Sequence, residues 1–233
     1  MRSSAFHSAA IDAPPELRAA FLTRVGGWTL GGLTVTAFVS VVSLLFVVPA
    51  VLQFGTFAIL AVIYGSMFLS QSVARNMVYG ENKLAGFLLG TGAQGVSFGF
   101  ILFATLFGFG VVSDGLLLIG QCMLMVVLTG AAMFVYVSMA RRDFSLLGAG
   151  LSMLFIPMLA LMAIQLVWPI GGVAGILLSG LFVAISAGSL LYKLNFVVHK
   201  MDTSQSMEGG YDLSLSIIVL LWNLLSLFNR LRR

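Results

Sequence analysis

Long apolar runs separated by short polar punctuation dominate this chain. Seven are visible, at roughly 26–48, 53–73, 84–109, 115–139, 145–167, 170–191 and 213–229. Each is close to the ~20 residues that a helix needs to cross the hydrocarbon of a bilayer. Strands of a membrane barrel would be about half as long and would alternate in polarity. In lipid the backbone must satisfy its own hydrogen bonds, so continuous runs of this length predict helices. Pro49 is expected to end the first run, and the segment 75–83 (RNMVYGENK) separates the second from the third. Ser113-Asp114-Gly115 reads as a tight turn, Arg141-Arg142-Asp143 as a charged corner, and Trp168-Pro169 as a break. The longest connection is expected over 193–212, where Ser, Gly, Asp and His gather. The pattern therefore predicts an all-α integral membrane protein. It consists of a polar tail over 1–25, a seven-transmembrane-helix bundle over 26–229 and a basic C-terminus over 230–233, with no soluble domain.

Composition strengthens this reading. Of 233 residues, 60% are hydrophobic and 9% are charged, against about 25% charged in soluble domains. Too few charges remain to build a water-facing surface, so the partner of most of the surface is the lipid bilayer. The net charge of +4 has no basic run interleaved with aromatics behind it, so no nucleic-acid partner is expected. Its distribution carries topology instead. The tail and the second, fourth and sixth connections hold Arg2, Arg18, Arg24, Arg75, Lys83, Arg141, Arg142, Lys193 and Lys200, while the first, third and fifth hold neither Lys nor Arg. That asymmetry places the N-terminus and the 193–212 loop in the cytoplasm. The apolar run after the tail is too long for a cleavable signal. Arg230, Arg232 and Arg233 run against the charge rule, and the last run carries Ser214, Ser216, Asn223 and Ser226. A last helix buried among the others accommodates both facts. Trp28, Trp168 and Trp222 lie near helix ends, as an interfacial aromatic belt would. The spacings Gly86-x-x-x-Gly90, Gly95-x-x-x-Gly99 and Gly171-x-x-x-Gly175 predict close helix packing.

Candidate chemistry is sparse. All eight acidic residues (Asp12, Glu16, Glu81, Asp114, Asp143, Asp202, Glu208 and Asp212) fall outside the predicted apolar cores. A chain that relays protons or coordinates cations at mid-depth normally carries a carboxylate there. The polar groups expected inside are Gln71, Gln94, Gln121, Gln165, Asn195 and Asn223, and buried amides usually tie helices together. His7 and His199 have no metal-ligand or catalytic spacing, no G-x-S-x-G is present, and Cys122 has no disulfide partner in the chain. No enzyme activity, metal or cofactor is expected.

Two segments resemble the Bax inhibitor family, the transmembrane Bax-inhibitor-motif proteins. The first is Gln94-Gly95-Val96-Ser97-Phe98-Gly99-Phe100-Ile101. The second is the corner Ala140-Arg141-Arg142-Asp143-Phe144-Ser145-Leu146-Leu147-Gly148. With the seven-run pattern, the resemblance covers roughly 24–230. It implies six helices wrapped around a central C-terminal helix. It also implies one of two roles, a pH-sensitive calcium leak or a modulator of other membrane proteins; the bacterial branch includes partners of the membrane protease FtsH.

The resemblance also implies a departure. The family's leak rests on two aspartates, one each in the sixth and seventh helices. The matching runs here are Tyr192-Lys193-Leu194-Asn195 and Leu220-Leu221-Trp222-Asn223-Leu224-Leu225. Lysine and leucine stand where the acids would be, Asn223 matches the family asparagine, and Gln94 stands where some relatives have glutamate. A cationic Lys193 repels calcium, and leucine does not titrate. The expected function is accordingly a non-enzymatic accessory or regulatory subunit with an unidentified membrane-protein partner, in a bacterial inner membrane. The alternative is a cation leak, without the pH switch, through a pore lined by Gln94, Gln121 and Asn223. Lys193, Leu220, Asn223, Gln94, Gln121, Arg141, Arg142 and Asp143 are the candidate functional positions.

Overall fold

A computed structural model describes residues 10, 12–108, 112–139, 148 and 171–232. Among the described residues six helices are long and apolar enough to cross a membrane: α1 (Pro15–Leu52), α2 (Thr56–Val78), α3 (Lys83–Phe107), α4 (Val112–Met139), α5 (Gly172–His199) and α6 (Ser206–Leu231). Among the described residues there is no strand. The expected run over 145–167, the Arg141-Arg142-Asp143 corner, Gln165 and Trp168-Pro169 lie outside the described residues.

Several expected boundaries move: α1 begins at Pro15, inside the tail expected over 1–25, and Ser113-Asp114-Gly115, expected as a tight turn, forms part of the first turn of α4. Pro49 does not end α1. A π-helical turn over Ser43–Val47 immediately precedes it, and the helix continues to Leu52. The wider turn takes up the hydrogen bond that proline lacks and the crowding its ring causes. Gly55, at φ 84°, then supplies a left-handed turn that only glycine adopts readily. A second π-turn, Leu69–Ala74, lies within α2. The expected 193–212 loop is the largest correction. α5 continues to His199 and α6 already begins at Ser206, so the connection shrinks to 200–205. Within it the backbone of Ser204 donates to the Asp202 carboxylate at 2.8 Å, an Asx turn. Gly209 and Gly210, which suggested a loop, instead let α6 lie close to its neighbours. A Cβ on Gly210 would meet the backbone nitrogen of Thr29 at 3.0 Å.

The chain divides into two compact units, Met1–Ala104 with Phe196–Ile218, and Thr105–Asn195 with Val219–Arg233. In the first unit α1 buries a narrow stripe, Phe21, Val25, Thr29, Gly32, Thr36, Ser40 and Ser43, at the three-and-four spacing of one helix face. Most of that stripe is small or polar, whereas Leu30, Phe38, Leu45 and Phe46 are exposed. Polarity is thus inverted relative to a soluble helix. The stripe packs on the glycines of α3. A Cβ on Gly95 would sit 2.7 Å from the Thr36 carbonyl, and one on Gly99 would sit 2.6 Å from the Ser43 hydroxyl. At this approach the Thr36 hydroxyl donates to the Thr91 carbonyl at 3.0 Å, and that of Ser43 to Val96 at 2.9 Å. Both expected glycine pairs on α3 are therefore contact points, while Gly171 has open space around it. Trp28 is half-buried and packs edge-on to Phe87 at 5.2 Å.

In the second unit α4 buries Gly115, Leu118, Cys122 and Val126 along one face, with Gly115 against the Thr105 carbonyl. The side-chain amide of Asn229 donates to the Thr105 hydroxyl at 2.9 Å. Among the described helices α6 and α3 are the most buried, with 67% and 61% of their apolar windows inside, against 11% for α2.

Gly95→Ala is expected to lower stability by about 1–3 kcal/mol through overpacking against α1. Gly92→Ala, where an added methyl meets nothing, should be neutral or stabilising by up to ~1 kcal/mol. Thermal unfolding of both variants in mild detergent checks the difference; equal Tm values would rule out this packing.

Candidate functional site

The first two turns of α6 carry Glu208 and Asp212, one turn apart on one face. Both are buried, at 2% and 6% exposure, which corrects the expectation that they lie in a loop. A buried carboxylate needs a cation and hydrogen bonds to offset lost hydration. The junction between α2 and α3 supplies them. Lys83 Nζ meets Glu208 Oε1 at 2.6 Å. Arg75 Nη2 meets Asp212 Oδ2 at 3.4 Å, and the Tyr79 hydroxyl donates to the same oxygen at 2.7 Å. The Arg75 guanidinium also lies over the Tyr79 ring, 5.6 Å from its centroid. Partial burial and the Asp212 carboxylate push the Tyr79 phenol well above its ordinary range, so it stays protonated and donating at physiological pH. Arg75 and Lys83 keep nearly half of their side chains exposed, which makes this a charged junction with one face on the interior and one on the outside.

Below the acids, Tyr211 is wholly buried in a cluster with Val78, Phe87 and Leu215. Its ring lies against Gly90, and its hydroxyl donates to the Ser70 carbonyl at 2.6 Å. Ser70 belongs to the π-turn of α2. Such turns loosen the regular ladder of carbonyl acceptors and recur at functional sites.

The sequence-derived positions are not gathered here. Gln94 is buried on α3 in the first unit. Lys193, Leu220 and Asn223 belong to the second, with Lys193 inside α5 and half-buried, and Leu220 and Asn223 buried. Asn195 is also buried. Gln121 and Gln71, expected inside, are exposed on α4 and α2, so neither is an interior tie. Arg141, Arg142 and Asp143 lie outside the described residues; Gly148, which closes their motif, packs on the Tyr192 ring. Among the described residues no group of three or more His, Cys, Asp or Glu comes together to hold a metal.

Sequence reasoning missed Arg75, Tyr79, Lys83, Glu208 and Asp212 as a site. The signal was present: two acids at i and i+4, immediately before an apolar run, beside glycines that permit close packing.

Lys83→Met leaves Glu208 buried and uncompensated. It is expected to cost about 2–3 kcal/mol, lowering Tm by roughly 5–10 °C. The double variant Lys83→Met/Glu208→Met should recover more than half of that loss, because no uncompensated buried charge remains. Tyr79→Phe should cost about 1–2 kcal/mol for one hydrogen bond to a carboxylate. Thermal unfolding in detergent reads all three; a double variant no better than Lys83→Met would refute the pairing.

A protein-family model described as inhibitor of apoptosis-promoting Bax1 matches residues 18–233. No curated protein matches the chain. The match takes in every described helix but the first turn of α1, both buried acids and their cations, and the apolar spans around them. The chain belongs to the Bax inhibitor family.

Proposed function

We propose that this protein is a non-enzymatic accessory or regulatory subunit of a membrane complex, held in a bacterial inner membrane with its N-terminus and the Arg75–Lys83 junction toward the cytoplasm. The observation that carries this reading is the state of the carboxylates on α6. Both Glu208 and Asp212 are committed to ion pairs with Lys83 and Arg75. Where the family resemblance places its titrating acids, this chain has Lys193 and the buried Leu220. A carboxylate locked to a cation is a poor ligand for a passing ion, and leucine is none. The family's scaffold is retained while the groups for ion handling are absent or occupied, which favours binding over transport. The half-exposed Arg75 and Lys83, fixed from within, form a rigid charged edge for partner contacts. Glu16, Arg18 and Arg24 on the outer turns of α1 add further charged groups for such contacts.

The test pairs flux with capture. Purified protein in liposomes is expected to pass no calcium above empty liposomes at about pH 6 or about pH 8, either side of the range in which raised carboxylates titrate. Extraction in mild detergent is expected to bring down a second membrane protein in stable ratio. A pH-dependent leak would overturn the assignment in favour of a channel. A pH-independent leak would favour the switchless cation pathway, and purification as a lone monomer under every gentle condition would remove the accessory role.

A further inference from the structure

Two fully buried side chains in the first unit keep polar atoms without a protein partner. They are both ends of the Gln94 amide and the hydroxyl oxygen of Ser70, each residue being 0% exposed; Glu208 Oε2, at the ion pair with Lys83, is a further unmatched atom of this unit. Polar groups in a dry interior are normally matched by protein or by ordered water, and leaving one unmatched costs about 1–3 kcal/mol.

The fold brings the two toward one place. α2 and α3 form an antiparallel hairpin in which Gly86 packs on Ala74, Met77 and Val78. One turn further along each helix, Ser70 comes level with Gly90. There the Tyr211 hydroxyl, lodged against Gly90, donates to the Ser70 carbonyl. Gln94 is one turn beyond Gly90 on the same face, and helical side chains lean toward the N-terminal end. Its amide is therefore carried back toward Ser70 and Tyr211. Neighbouring hydroxyls are already spent on carbonyls: Thr91 on Phe87, Ser97 on Gln94 itself, and Ser214 on Tyr211.

The chemistry of an amide selects what fills such a place. Oε1 accepts and Nε2 donates. A metal cation serves the first and faces a hydrogen at the second; an anion does the reverse. Water both gives and takes, as does the Ser70 hydroxyl. We infer that Gln94, Ser70 and Tyr211 hold ordered water between α2, α3 and α6, at the π-turn of α2. The unmatched atoms are about what one or two waters need, since a buried water makes roughly three hydrogen bonds. This inference stands apart from the accessory role proposed above.

Pulsed hydroxyl-radical footprinting of the full chain in nanodiscs tests it, because radiolysis of a bound water modifies the side chain beside it even where bulk solvent is excluded. Tyr211, wholly buried, should be modified several-fold faster than Phe182 on α5, which is 6% exposed, after correction for intrinsic reactivity. Gln94→Leu and, separately, Ser70→Ala should each lower the Tyr211 rate several-fold and leave Phe182 unchanged. Tyr211 reacting no faster than Phe182 in the unaltered protein would overturn the inference. A fast Tyr211 rate unchanged in both variants would also overturn it, assigning the labelling to helix opening.

Discussion

Two carboxylates at the start of the last helix are buried where a lone charge would be prohibitive, and that constraint fixes much of what surrounds them. Glu208 and Asp212 are tolerable only if Lys83 and Arg75 reach them. This sets the register of α6 against the α2–α3 hairpin. Once it is set, Tyr211 falls onto Gly90 and Ser214 onto Gly32. Gly210 meets the backbone of α1 at Trp28 and Thr29. Buried ion pairs add little net stability, since desolvation offsets most of the attraction. Their effect here is to exclude other registers, each of which would strand a charge.

Around this junction the helices are held by contacts suited to lipid. Apolar side chains gain little by leaving one apolar medium for another, so close packing and interhelical hydrogen bonds take over. The interface of α1 with α3 follows that rule. Glycines at 95 and 99 bring the backbones together, and Thr36 and Ser43 then reach carbonyls across the gap. The large side chains, Phe38, Phe46 and Leu45 among them, face outward. The same logic separates α3 and α6, which carry polar groups inward, from α2, whose apolar window is only 11% buried.

Much of this was legible in the sequence. Apolar runs located six described helices, and the glycine spacings of α3 marked true contact points, because both signals depend on length and residue size alone. What escaped detection depends on neighbours. The π-turns over Ser43–Val47 and Leu69–Ala74 leave no compositional trace, and Pro49 suggested a stop where the helix had a way through. Gly209 and Gly210 looked like flexible chain because a glycine needed for clearance is indistinguishable, in one sequence, from a glycine needed for a turn. Misreading them cost α6 its first two turns and with them both acids. Gln121 looked interior because it interrupts an apolar run, but the face a residue occupies is set by what packs on the helix, and α4 turns Gln121 outward.

The passage of α1 through Pro49 sets a length that lipid alone does not accommodate. Thirty-eight residues from Pro15 to Leu52 make a rod of roughly 57 Å at 1.5 Å per residue, against about 30 Å of hydrocarbon. Even the ~40° inclination at the upper end for membrane helices leaves a third of it in water. The charged residues of α1, Glu16, Arg18 and Arg24, all lie toward its N-terminal end, so that end is the one that stands clear. The first helix is thus a mast as well as a span. A force or a bound molecule acting on its outer turns has a stiff lever reaching down to Thr29, Gly32 and the start of α6.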